Sequence, residues 1–94
     1  MAQSVTDNHA QQRYELQTQN GPAFITYRSS DAGLTLVHTE VPPGLEGQGV
    51  GSKLVRETLA LIRESGRKVT PQCAFVAAYI RKHPELQDLV AGSA

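Results

Sequence analysis

The chain has 94 residues, nine Lys/Arg balanced by nine Asp/Glu, and 39% hydrophobic residues. That supports one domain whose core removes about two-thirds of the unfolded surface from water; the apolar share excludes a disordered chain, and zero net charge excludes a general binder of nucleic acid or anionic membrane. One cysteine, Cys73, excludes an internal disulfide, no metal site is expected from three histidines, and no apolar run nears the ~20 residues of a membrane span.

Residues 1–12 are polar, without apolar periodicity, and read as a loose N-terminal segment ahead of a single domain over 13–94. No basic-then-apolar leader is recognisable there, so the expected location is a reducing, cytoplasmic one. Tyr14, Leu16 and Thr18 alternate with polar residues, predicting a half-buried strand. Asn20-Gly21 predicts a hairpin turn. The run 23–27 is β-branched and aromatic and predicts a second strand, and 29–33 has turn chemistry. A third strand over 34–41 is stopped by Pro42-Pro43. The three strands predict an antiparallel meander.

The second half changes period. Val50, Leu54, Val55, Leu59, Leu61 and Ile62 form one stripe of a helix, with Lys53 and Glu57 as an outward i,i+4 pair and Gly66 as its left-handed stop. A short strand at 68–70 follows, then a helix over 73–82 carrying Phe75, Val76, Tyr79 and Ile80. Pro84 ends that helix or starts a new one, and Leu86, Leu89 and Val90 suggest a further turn or two. The order β-β-β-α-β-α predicts an α+β fold: a mostly antiparallel sheet with helices on one face. Residues 1–45 hold two Arg against four acids, and 46–94 hold seven Lys/Arg against five. Ordinary scatter gives such a split, and so does a second half that meets an anion.

The most informative stretch is Gly47-Gln48-Gly49-Val50-Gly51-Ser52, between a strand and a helix. Glycines let backbone amides crowd toward a ligand, and a helix start leaves amides unpaired and partly positive. Together they form a phosphate site. Gly51-Ser52-Lys53 has the wrong order for a nucleoside-triphosphate loop. Ser52 occupies the sixth place of a dinucleotide fingerprint, and the preceding strands are not a parallel βαβ unit.

The stretch resembles the acetyl-CoA pyrophosphate loop of the GNAT N-acetyltransferase superfamily, Gln/Arg-x-x-Gly-x-Gly/Ala. Gly49 and Gly51 match, and Glu46 stands in place of Gln or Arg. Val41-Pro42-Pro43 ahead of the loop and Cys73-Ala74-Phe75-Val76-Ala77-Ala78-Tyr79-Ile80-Arg81 after it extend the likeness, above all to compact members of minimal length. The resemblance implies a minimal GNAT-like domain that holds acetyl-CoA as cosubstrate through Val41, Gly47, Gln48, Gly49, Val50, Gly51 and Ser52. It implies acetyl transfer to an unidentified amine. A CoA or acyl-CoA sensor without catalysis is the alternative from another class.

Acetyl transfer needs a route for the amine proton, a donor for the oxyanion and a proton for the leaving thiolate. His38 and Glu40 are two apart on a predicted strand, so they share a face, expected to be that of Leu34 and Leu36. An imidazole there suits proton acceptance near neutrality. The likeness places Tyr79 as a proton donor to the CoA thiolate; its other use is core packing. Cys73 is expected at a helix start, where a thiol gains thiolate character. It serves there as a nucleophile, as a bystander of the CoA sulfur or as a small buried hydrophobe.

Overall fold

Alternation of apolar and polar residues builds the first half. In the computed structural model, which describes residues 5–45 and 47–92, the elements are β1 (Thr6–Asn8), β2 (Arg13–Thr18), β3 (Gly21–Ser30), β4 (Gly33–Glu40), α1 (Val50–Ser65), β5 (Val69–Pro71) and α2 (Ala74–Lys82), followed by a 3-10 helix, Pro84–Leu89. The strands lie in the order β1-β2-β3-β4-β5. The first four are antiparallel neighbours, and β5 joins β4 in parallel because α1 carries the chain back between them. The fold is α+β, as the periodicity predicts.

Every buried side chain of the sheet points to one face. Tyr14 and Leu16 stand opposite Ile25 and Ala23, Tyr27 opposite Leu36, and Leu34 opposite Val69. They form one cluster with Leu54, Val55, Leu59 and Ile62 of α1 and Val76 and Ile80 of α2. Both helices therefore cover this face. The other face, with Arg13, Glu15, Phe24, Thr26, His38 and Glu40, stays open, and the Arg13 guanidinium lies 4.3 Å from the centre of the Phe24 ring.

The structure corrects four expectations. Residues 6–8, within the segment expected to be loose, form β1. The Val5 amide donates to Glu57 Oε1 at 3.1 Å, and the Tyr27 hydroxyl donates to Asp7 at 2.6 Å. These partners are distant in sequence, so no local period announces the strand. Glu57 is thereby engaged with Val5, and the predicted pair with Lys53 is not formed. The hairpin turn is Gln19-Asn20, because Thr18 already pairs with Gly21; the Asn20 side chain reaches across to donate to the Pro43 carbonyl at 3.1 Å.

The fourth correction concerns β4. Thr26 faces His38 and Tyr27 faces Leu36, so Val37 is an extra residue, a β-bulge. Beyond it the side-chain alternation is inverted. Thr39, opposite Ile25, turns toward the helices, while His38 and Glu40 turn to the open face, away from Leu34 and Leu36.

Candidate functional site

Pro42 and Pro43 end the ladder of β4, and buried Leu45 anchors the loop that follows. Gly47 and Gly49 have φ of 81° and 79°, in the left-handed region that costs glycine least. Gly49 is the N-cap of α1. It offers no side chain to the first amides, and the first turn holds no acid, so among the described residues nothing compensates the positive end of the helix. The Gln48 amide donates back to the Leu45 carbonyl at 3.2 Å and is taken up within the loop. Glu46 lies outside the described residues.

Six of the expected cofactor residues, Val41, Gly47, Gly49, Val50, Gly51 and Ser52, line one hollow of about 400 Å³ with Leu45 and Phe75. Gln48 lines a neighbouring hollow with Lys53 and Leu16. At Gly51 a Cβ would stand 2.9 Å from the Phe75 ring, so a larger residue there would push that ring aside. Phe75 was expected in the buried stripe of its helix. It is instead 45% exposed, the only exposed large hydrophobic among the described residues, while Val76 and Ile80 fill the core.

The second component is a gap in the sheet. The β4–β5 pairing ends at Leu36 and Pro71, where the Val37 bulge diverts β4 and Cys73 starts α2. The Cys73 amide donates to the Leu36 carbonyl at 2.9 Å. Its Sγ lies 3.2 Å from the Thr39 hydroxyl. Burial pushes the thiol up, yet hydrogen bonds from the Thr39 hydroxyl and from the Val76, Phe75 and Thr39 amides outweigh it and hold Cys73 below the usual thiol range. Sequence reading missed Thr39, because only the bulge turns it inward.

His38 and Glu40 are together but elsewhere. Nε2 of His38 is 3.3 Å from Glu40 Oε1, both side chains are exposed, and both stand across the sheet from Thr39 and Cys73. Tyr79 lies in a third hollow, stacked on His83 at 4.2 Å between ring centres and beside Ser52, Phe75 and Lys82.

A glycine-rich loop between a strand and a helix start is the arrangement the sequence resemblance implies, and the parting of β4 from β5 beside it comes from the structure. The family model of the GCN5-related N-acetyl-transferases matches residues 13–89. The chain belongs to this family. A solution NMR structure of a protein from Staphylococcus aureus described as GCN5-like is 28% identical, with a TM-score of 0.71 over 98% of this chain and 92% of that one. No curated protein matches the chain. Membership covers all elements from β2 through the 3-10 helix; β1 lies outside the matched range. No helix among the described residues is long and apolar enough to cross a membrane.

Proposed function

We propose that this GCN5-related chain binds acetyl-CoA and transfers the acetyl group to an amine. The observation that carries the reading is the uncapped start of α1, which opens on the same hollow as Val41 and Phe75. The CoA pyrophosphate meets the first amides of the helix and the flanking glycines. The pantetheine arm runs past Val41 and Phe75 toward the gap between β4 and β5, bringing the thioester to Thr39 and Cys73. A reducing compartment such as the cytoplasm suits Cys73 as a free thiol.

The acceptor then approaches from the open face. Its neutral nitrogen adds to the thioester carbon, the C–S bond breaks as the N–C bond is made, and CoA leaves as thiolate. The ammonium proton passes to His38 or Glu40, which stand on that face, or to water. Tyr79 is the family's candidate proton donor for the thiolate; its place in the third hollow makes a water between them part of that assignment. In a second route Cys73 thiolate displaces CoA, forming acetyl-cysteine, and the amine takes the acetyl group from sulfur. The hydrogen bonds that favour the thiolate support this route.

A non-catalytic CoA-binding module is the alternative. What favours it is the separation of the His38–Glu40 pair from Cys73 by the thickness of the sheet. Thiol release from acetyl-CoA against a panel of amines distinguishes the two. The enzyme reading expects amine-dependent release and a drop of about 10²–10⁴-fold in His38→Ala. Intact mass after acetyl-CoA alone detects acetyl-cysteine, which Cys73→Ser removes. Absence of thermal stabilisation by millimolar acetyl-CoA overturns both readings.

A further inference from the structure

The open face of the sheet holds two arginines, and the structure treats them differently. Arg13 is neutralised: its guanidinium pairs with Glu15 and lies over the Phe24 ring. Arg28 follows Phe24 and Thr26 on the same side of β3, opposite Thr35 of β4. It is exposed and forms no ion pair among the described residues. Its guanidinium reaches past β4 to donate to the Gln72 side-chain oxygen at 3.4 Å, a neutral acceptor that occupies one of five N–H groups. The carboxylates that β2 and β4 place on this face are engaged elsewhere, Glu15 with Arg13 and Asn8, and Glu40 with His38.

The place of this arginine gives its charge a use. Gln72 immediately precedes Cys73 and closes a tight turn, its amide donating to the Thr70 carbonyl at 3.0 Å, while the Cys73 amide is fixed on Leu36. The Arg28–Gln72 bond therefore ties the cation to the segment that borders the gap between β4 and β5. On the other side stands His38, whose partner Thr26 is two residues from Arg28 along β3, about 7 Å. An acceptor entering the gap from this face thus meets a proton-accepting pair and a largely unused guanidinium within the length of one small molecule. We infer that Arg28 binds a carboxylate of the acceptor, and that the acceptor is a small amino acid, its amine and carboxylate a few bonds apart. The inference rests on the acetyl-transfer reading above and adds its substrate class.

A guanidinium takes a carboxylate through two parallel hydrogen bonds, which fixes orientation as well as position. With the carboxylate so held, the nitrogen bonds to the acetyl carbon and the C–S bond breaks. The ammonium proton goes to the His38–Glu40 pair or to water, and the products are the N-acetyl amino acid and CoA. The same charges disfavour polyamines and lysine-rich peptides, which would bring further cations to a face whose carboxylates are taken and whose unpaired charge is Arg28.

The test follows CoA release by the full chain at saturating acetyl-CoA, with glycine, β-alanine and 4-aminobutyrate, each against its carboxamide at equal concentration of neutral amine. Wild type should show a kcat/KM about tenfold higher for at least one acid than for its carboxamide, the measure of one charge-assisted contact. Arg28→Ala should abolish that preference through KM, with kcat and the carboxamide rates held, and Arg28→Lys should restore part of it. Arg56→Ala removes an exposed cation from α1 and should keep the preference. Arg28 is exposed, so the melt of its variants without ligand should match wild type. Carboxamides as good as their acids in wild type, a preference that survives Arg28→Ala, or one lost in Arg56→Ala overturns the inference while the acetyl-transfer reading stands. Release from no member of the panel overturns the inference too; release with any other amine then keeps the acetyl-transfer reading, and release with none removes it.

Discussion

The two ends of β4 treat polar groups in opposite ways. At its start, around the turn from β3, the Arg67 guanidinium donates to the Ser29 hydroxyl at 2.8 Å and to the Ser30 and Gly33 carbonyls at 2.7 and 3.2 Å. Tyr27 donates to Asp7, whose other oxygen lies 3.4 Å from His9. A hollow of about 300 Å³ sits there too, with Asp7, His9, Tyr27, Ser29 and Arg67 among its walls. At the other end of β4 the hollow is of similar size, but among the described residues no side chain caps the helix amides that open on it. Volume does not distinguish the two. Unused hydrogen-bonding capacity does, and it marks the loop end as the place for a ligand.

The sharpest way to break the comparison is a methyl group at the satisfied end. Gly33 has φ of 131°, and a Cβ there would stand 2.4 Å from the Lys68 carbonyl oxygen. Gly33→Ala should lower stability by about 2–5 kcal/mol in chemical denaturation, the combined cost of strain and overpacking. The folded fraction should respond to acetyl-CoA as wild type does.

Gly49→Asp should do the reverse. Gly49 also has positive φ, but nothing lies within 4 Å of its would-be Cβ, so the side chain fits at about 1–2 kcal/mol of backbone strain. Its carboxylate then occupies the anion position. The stabilisation of about 2.7 kcal/mol expected at ligand a hundredfold above its dissociation constant should disappear from thermal melts. If this variant keeps the full response, the loop is not the phosphate site.

A smaller effect tests the gap between β4 and β5. Thr39→Val removes the hydroxyl hydrogen-bonded to Cys73 Sγ, which favours the thiolate, so the thiol should titrate at higher pH. The midpoint of the pH profile for alkylation of Cys73 should move up, and saturating CoA should slow alkylation in wild type and variant alike. An unmoved midpoint would show that the backbone amides alone set the thiol.

The smallest effect concerns the attachment of β1. Hydrogen bonding to Arg13 holds the Glu15 carboxyl below the usual carboxylate range, and the Asn8 side chain of β1 adds to this. A depressed folded pKa means that the stabilisation is complete above about pH 4.3 and is lost as pH falls through the folded value. Glu15→Gln should flatten this part of the acid limb of the melting curve. Wild type and variant should converge at the lowest pH.

Much of this fold is legible in the sequence. Alternation marks β2, β3 and the first half of β4, and Gly66 with φ of 78° ends α1 where glycine predicts a left-handed stop. The glycine loop was legible because few turns need glycines at 47, 49 and 51. The bulge was not. The alternation breaks at the apolar doublet Leu36-Val37, but a doublet alone does not tell an extra residue from a strand end, and the bulge shows only when Thr26 and Tyr27 are set against it. That hid both the inward turn of Thr39 and the outward turn of His38 and Glu40. Phe75 is hard to place for a related reason: helical spacing sets it beside the stripe of Val76 and Ile80, while its ring lies outside the core against Gly51.

The ends of the sheet carry one more consequence. β5 has three residues, and its outer side is occupied: Val90 bridges to Val69, and the Ala91 amide donates to the Val69 carbonyl at 2.8 Å. At the opposite edge β1 is also only three residues long. Among the described residues, a strand from a second molecule therefore finds only short rows of free backbone groups at either edge, which disfavours polymerisation through them.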